Sequence, residues 1–156
     1  MQDMEEIIQE KISADHLLYV SLKYTKTCDV VLNLILRWRR MIEVSIDKIL
    51  KHAEKKKRIS SVPGNPVGKI EKMRELCKKE KLCKGNKDVF EVIDMYEMFR
   101  KIEGLKKERI GEFRKNVTLK VFYRGKEINI NLDKLKEYAN NLERFINFTK
   151  QFLASK

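Results

Sequence analysis

Histidine is nearly missing from this chain: His16 and His52 are the only two among 156 residues. General acid–base work needs such a group in a cleft beside a nucleophile or carboxylate. Asp15 adjoins His16, but neighbouring positions on a helix point in different directions. Cysteine is also sparse. Cys28, Cys77 and Cys83 are an odd set without the density of a disulfide scaffold, and all three are read as reduced thiols. Cys77 and Cys83 have five residues between them, whereas zinc ligand pairs usually have two to four and require two further ligands. The six glycines are scattered, forming neither a Walker loop nor a dinucleotide-binding pattern, and no nucleophile elbow or histidine–glutamate zinc motif occurs. These absences predict a non-enzymatic chain with no metal and no cofactor.

Long apolar runs are absent too. A spanning helix needs roughly 20 apolar residues, and the longest candidate, Val30 to Leu36, is interrupted by Asn33. No membrane partner is expected. The first residues, Met1-Gln2-Asp3-Met4-Glu5-Glu6, are acidic where a secretory signal is basic and then apolar. Together with the reduced thiols, this places the protein in the cytoplasm as an expectation.

What the chain has in abundance is charge. Hydrophobic residues make up 42%, enough for a core, while 37% of residues are charged and the formal net charge is +12. A length of 156 residues suits one domain spanning the whole chain. A field of that sign attracts polyanions from a distance and opposes self-association at low salt.

Periodicity predicts a mainly α fold. Met4, Ile7, Ile8 and Ile12 have helical spacing. Residues 17–27 read two ways, as a helix through Leu17, Val20 and Tyr24 or as a strand through Leu18, Val20, Leu22 and Tyr24, with helix preferred. A central helix from Asp29 to Ala53 is the firmest element, with Val31, Leu34, Ile35, Trp38, Met41, Ile42, Ile46 and Ile49 on one face. Thr27 or Asp29 caps it, and Arg37, Arg39 and Arg40 around Trp38 are expected to face water. Ser60 to Pro66 is the one clear loop. Asn65-Pro66 then opens a third helix that continues toward Cys83 and ends at Gly85-Asn86. Asp88 with Glu91 makes a capping-box pattern for a fourth, terminated by Gly104 or Gly111.

Two runs flank Arg124-Gly125, and a two-residue hairpin loop sets Tyr123 opposite Lys126. Val121 then faces Ile128, Leu119 faces Ile130 and Val117 faces Leu132, three apolar pairs on one side. A final helix from Asp133 to Leu153 carries Phe145, Phe148 and Phe152, more apolar residues than a narrow stripe requires, so a second subunit is expected to cover some of them. Trp38, Tyr96 and Phe99 at helical spacing are expected in the core. The architecture is an antiparallel helical bundle with one β-hairpin at about 117–132; the alternative is α+β, with a strand at Leu18 to Tyr24 joining the hairpin.

Charge placement supplies the candidate site. Residues 51–84 hold twelve Lys and Arg against Glu54, Glu71, Glu75 and Glu80, two thirds of the whole basic excess. Lys55, Lys56, Lys57 and Arg58 form a basic loop, and Lys69, Lys72, Arg74, Lys78, Lys79, Lys81 and Lys84 continue it. Such a set neutralises phosphates by counterion release without reading sequence. The competing reading is a solvated helix face, favoured by the lack of interleaved aromatic residues that stack bases.

The succession from His16 to Thr25 into the long helix, then further helices, resembles the prokaryotic HEPN-like helical-bundle proteins over about the first 105 residues. The resemblance implies RNA or a nucleotide-handling partner nearby. Ribonucleases of that group use an arginine followed four to six residues later by a histidine. Neither His16 nor His52 has one at that distance, so a non-cleaving member is implied. The expected function is therefore a binding module for RNA, DNA or an acidic protein, with a homodimer as a further partner. The alternative is a structural or regulatory interaction domain without nucleic-acid affinity.

Overall fold

The computed structural model describes residues 2–80 and 86–155. Cys83 and Gly85, with Lys81 and Lys84 of the basic set, lie outside the described residues.

The fold is mainly helical, with a small antiparallel sheet. Helix α1 (Gln2–His16) runs without a break through a π-helical turn (Leu17–Ser21) into α2 (Leu22–Tyr24). Backbone angles remain right-handed helical at His16, Ser21 and Leu22, so the strand alternative for this stretch is excluded. The wide turn has a packing consequence. Ile7, Ala14, Leu18 and Leu22 all face the core across a span where a strict 3.6-residue repeat drifts.

Helix α3 (Cys28–Lys55) is the axis of the molecule, capped by the Thr27 hydroxyl accepting from Val30 N. Its buried side reproduces the expected periodic face from Val31 to Ala53. Arg37, Arg39 and Arg40 do not simply face water. Arg37 and Arg40 grip Glu10 of α1 at 3.3 and 3.2 Å, and Arg39 reaches Glu43 and Glu103. The acidic first helix thus docks on the cationic flank of the third.

Helix α4 (Pro66–Lys79) starts with Pro66 at its first position and the Asn65 side-chain Oδ1 accepting from Gly68 N. Helix α5 (Lys87–Lys101) is capped by Asn86, not by the expected Asp88; Asp88 instead accepts a hydrogen bond from Arg144. Strands β1 (Lys107–Ile110), β2 (Thr118–Tyr123) and β3 (Lys126–Ile130) form the sheet in sequence order, and α6 (Leu132–Ala154) closes the chain.

The hairpin register matches expectation at Tyr123↔Lys126, Val121↔Ile128 and Leu119↔Ile130. The third apolar pair does not form, because Asn131 caps α6 through Lys134 N and Leu132 becomes helical. Strand β1 is an addition to the expected hairpin. It pairs Lys107 with Val121 through Ile110 with Thr118 along the free edge of β2. Leu119, Val121 and Ile130 of the sheet, with Val117, are buried against the helices, as so small a sheet requires.

Paired contacts fix the helix directions. Glu6–Arg40 with Glu10–Arg37, and Tyr96–Glu43 with Glu103–Arg39, show α1 and α5 running against α3, as an antiparallel bundle has it. Lys69–Asp47 and Arg58–Glu80 show α4 running with α3, and Trp38 on Tyr138 with His52 on Phe152 show the same for α6. The loop after α3 doubles back to achieve this, held where Val62 N donates to Glu54 at 3.1 Å.

Trp38 stacks on Phe99, and Tyr138 meets both rings edge-on. Phe145, Phe148 and Phe152 are buried within the chain, so no second subunit is needed to cover them.

Candidate nucleic-acid interface

Because α3, α4 and α6 point the same way, their C-terminal ends gather at one pole. Each such end carries a partial negative charge from unpaired carbonyls, and cations settle there. The α3 end is finished by a Schellman turn: Lys57 N donates to Glu54 O at 3.0 Å and Arg58 N to Ala53 O at 2.8 Å, with Lys57 left-handed at φ 61. Glycine usually takes that position. Here it is a lysine, and Lys55, Lys56 and Lys57 emerge side by side into solvent.

Two clefts flank this turn. One, of about 210 Å³, is lined by Lys48, Lys51, His52, Lys55 and Leu153. The other, of about 230 Å³, lies between Arg58, Ile59, Ser60, Lys72, Glu75, Leu76, Lys79 and Glu80. His52 reaches across to the last helix: its Nε2 lies 3.1 Å from Ser155 O beyond α6, and its ring meets Phe152 edge-on.

The eleven residues of the candidate set separate into two groups, apart from Lys81 and Lys84. Lys55, Lys56, Lys57, Lys78 and Lys79 are exposed, and no carboxylate of the described residues forms an ion pair with any of them. The other four are half-buried and engaged. Lys69 binds Asp47 of α3 at 3.1 Å, and Arg74 binds Asp94 and Glu97 of α5 at 2.7 and 2.5 Å. Arg58 lies 3.4 Å from Glu80 and over the Phe152 ring, and Lys72 pairs with Glu75. Lys69 and Arg74 therefore hold α4 in place and have little charge left to offer a ligand.

The titration behaviour of their partners agrees. Burial works to raise the Asp47 carboxyl, but hydrogen bonds from Lys51 and Lys69 overcome it and hold Asp47 below the ordinary range. Burial likewise opposes ionisation of Glu97, and the Arg74 bond, aided by Arg124, wins and lowers it.

A third cleft, of about 170 Å³, is lined by Glu43, Ile46, Gly64, Pro66, Lys69, Ile70 and Tyr96. Tyr96 donates to Glu43 at 2.8 Å, and burial followed by that bond pushes its phenol upward, so it stays protonated. Burial, with the Glu112 carboxylate beside it, raises the Cys28 thiol to about 11. Asp15 is engaged by Lys11 at 2.8 Å, and His16 is exposed with no carboxylate against it among the described residues. No group of three or more metal-ligating side chains occurs among the described residues.

A second basic concentration was not anticipated. Residues 105–126 contain Lys106, Lys107, Arg109, Arg114, Lys115, Lys120, Arg124 and Lys126 against only Glu108 and Glu112. They belong to the sheet and its loops, near the opposite end of α3, where Cys28 Sγ contacts Thr118 O. A running charge count along the sequence finds this cluster; hydrophobic patterning does not. Lys107 is internal in role, donating to the carbonyls of Ile102, Glu103 and Leu105.

Among the described residues, no helix is long and apolar enough to cross a membrane. No family model, no curated protein and no solved structure matches the chain.

Proposed function

We propose that the chain is a non-enzymatic module that binds the phosphate backbone of RNA or DNA without reading sequence, through the pole where α3 and α4 end. The observation that carries this reading is the group of five exposed lysines, Lys55, Lys56, Lys57, Lys78 and Lys79, which form no ion pair with a carboxylate of the described residues on a protein that pairs most of its other candidate cations. The αL backbone at Lys57 adds support, because stability alone favours glycine there and strained positions concentrate at functional surfaces. The resemblance to HEPN-like proteins agrees with an RNA-proximal, non-cleaving role.

Titration of labelled RNA and DNA at several salt concentrations tests the reading. Micromolar binding that weakens steeply with salt is expected, and triple replacement of Lys55, Lys56 and Lys57 by Ala lowers the salt slope by about 2 to 3. An unchanged slope removes this pole as the contact, and no binding at low salt removes the function. An acidic protein surface is the same chemistry with carboxylates in place of phosphates, distinguished by competition with nucleic acid. A second reading, an interaction domain without polyanion affinity, is favoured by the exposed apolar residues of α1 and α2.

A further inference from the structure

The apolar residues left in water are not scattered. Of eight large hydrophobic side chains that are exposed among the described residues, Ile8, Ile12, Tyr19, Val20 and Tyr24 lie on the one continuous helix from α1 to α2. Its inner face is fully used, with Ile7, Ala14, Leu18 and Leu22 in the core. The outer stripe is therefore surplus to the monomer. The π-helical turn keeps Val20 and Tyr24 on that outer side while Leu18 and Leu22 stay inside, so the stripe extends across the whole helix. Tyr24 is 79% exposed, a costly placement for so large a ring. At the sizes of these side chains the five present on the order of 600 Å² of surface, at the upper limit for a typical monomer.

Four of the five are also placed symmetrically. His16 stands at the midpoint of the stripe, with Ile12 and Val20 four residues to either side and Ile8 and Tyr24 eight to either side. Toward its ends the charges are opposite: Glu5 and Glu6 precede Ile8 at one end, and Lys23 and Lys26 lie on either side of Tyr24 at the other. These four charged residues are exposed or half-buried, and the ion pair of Glu6 with Arg40 is a long one at 3.8 Å. A strip with this pattern is complementary to itself reversed. The loop residue Phe113, 76% exposed and left-handed at φ 65, is tied by its N–H to Lys26 O and lies at the basic end.

We infer that the outer face of α1 and α2 pairs with the same face of a second copy, antiparallel about a two-fold axis at His16. Ile8 of one copy then meets Tyr24 of the other, Ile12 meets Val20, and the Glu5–Glu6 end meets Lys23 and Lys26. Self-complementarity of this kind is what an isologous dimer requires. Two stripes together cover roughly 1,200 Å², the lower bound of a specific interface, so the dimer is a small and reversible one. The occupant is a second copy, because the charge order along the stripe is matched by its own reversal. The pairing is independent of polyanion binding.

Sedimentation velocity across a concentration series up to about 100 µM reads it directly. Ile12→Glu and Tyr24→Glu, both at exposed positions, are each expected to raise the dissociation constant at least tenfold while leaving the circular dichroism unchanged. Lys23→Glu with Lys26→Glu weakens self-association, as does Glu5→Lys with Glu6→Lys, and mixing the two variant chains restores a heterodimer. No merely structural role for these residues gives that rescue. In a chain with Cys83→Ser, His16→Cys cross-links to its counterpart under mild oxidation. A monomer throughout the series, a dimer indifferent to Ile12→Glu, or cross-linking that fails at residue 16 overturns the inference.

Discussion

Lys57→Gly separates stability from binding at a single residue. Lys57 has φ 61 at the close of the Schellman turn and no ion pair among the described residues. An L-residue in this conformation costs about 1–2 kcal/mol. Glycine removes that strain but carries a larger loss of chain freedom on folding, about 0.5–1 kcal/mol. The balance is a gain of roughly 0.5–1 kcal/mol, or about 1–4 °C in Tm for a domain of this length. The same substitution deletes one cation from the proposed interface, so the slope of log K against log salt falls by about 0.7 for a single strand and 0.9 for a duplex. Urea denaturation measures the first quantity, and fluorescence anisotropy of labelled RNA and DNA at four salt concentrations measures the second. Lys57→Ala is the control: it removes the charge and keeps the strain, so it lowers the slope without the stability gain. A less stable Lys57→Gly protein refutes the backbone argument. A more stable one with an unaltered slope refutes the place of Lys57 in the interface.

The remaining predictions concern the framework. Glu97, held below its ordinary range, contributes stability that is present above its unfolded value and is lost as pH falls through its lower folded value, in the region below about pH 4.5. Glu97→Gln therefore costs about 1–2 kcal/mol at neutral pH by removing the carboxylate of Arg124 and one of the two that hold Arg74, and flattens the acid limb of a stability–pH curve, measured by urea midpoint at each pH. Leu119→Ala empties a site between the sheet and the helices and lowers stability by about 3 kcal/mol, read by thermal denaturation. Gly111 has φ +67, and a Cβ there lies 2.9 Å from the Asn116 carbonyl oxygen, so Gly111→Ala is destabilising by about 1–3 kcal/mol and loosens the β1–β2 loop, visible as faster amide exchange. Cys28, buried with its thiol raised to about 11, resists iodoacetamide at pH 8 in the folded protein and reacts after denaturant is added.

Local chemistry was legible in the sequence where neighbours in the chain decide it. Thr27, Asn65 with Pro66, and the Arg124-Gly125 turn each fix a boundary through contacts within a few residues, and the hairpin register follows from its loop length. Strand β1 was not legible, because Lys107-Glu108-Arg109-Ile110 has one apolar residue and is ordered by the β2 edge rather than by its own pattern. The direction of α4 was hidden for a related reason, since Glu54 and Asp47 of α3 turn the chain back. The candidate site followed the same division. Composition marked the basic segment, but which of its cations remain available depends on Asp47, Asp94 and Glu97, which come from other helices. Of the three exposed non-glycine residues with positive φ among the described residues, Arg124 lies in the hairpin turn that the sequence marks, whereas Lys57 and Phe113 carry no sequence signal, because neither is a type that favours a left-handed backbone.

The widened turn at Leu17–Ser21 has a genetic corollary. Such a turn accommodates one residue more than a regular helix needs, so this is the place in the first helix where chain length can vary. Deleting a single residue there converts the loop of backbone to ordinary pitch and leaves Ile7 and Leu22 on their own sides, whereas a deletion at Ile7 or Ala14 throws every later side chain out of phase. A scan of one-residue deletions along α1 should find its tolerant window at these five positions.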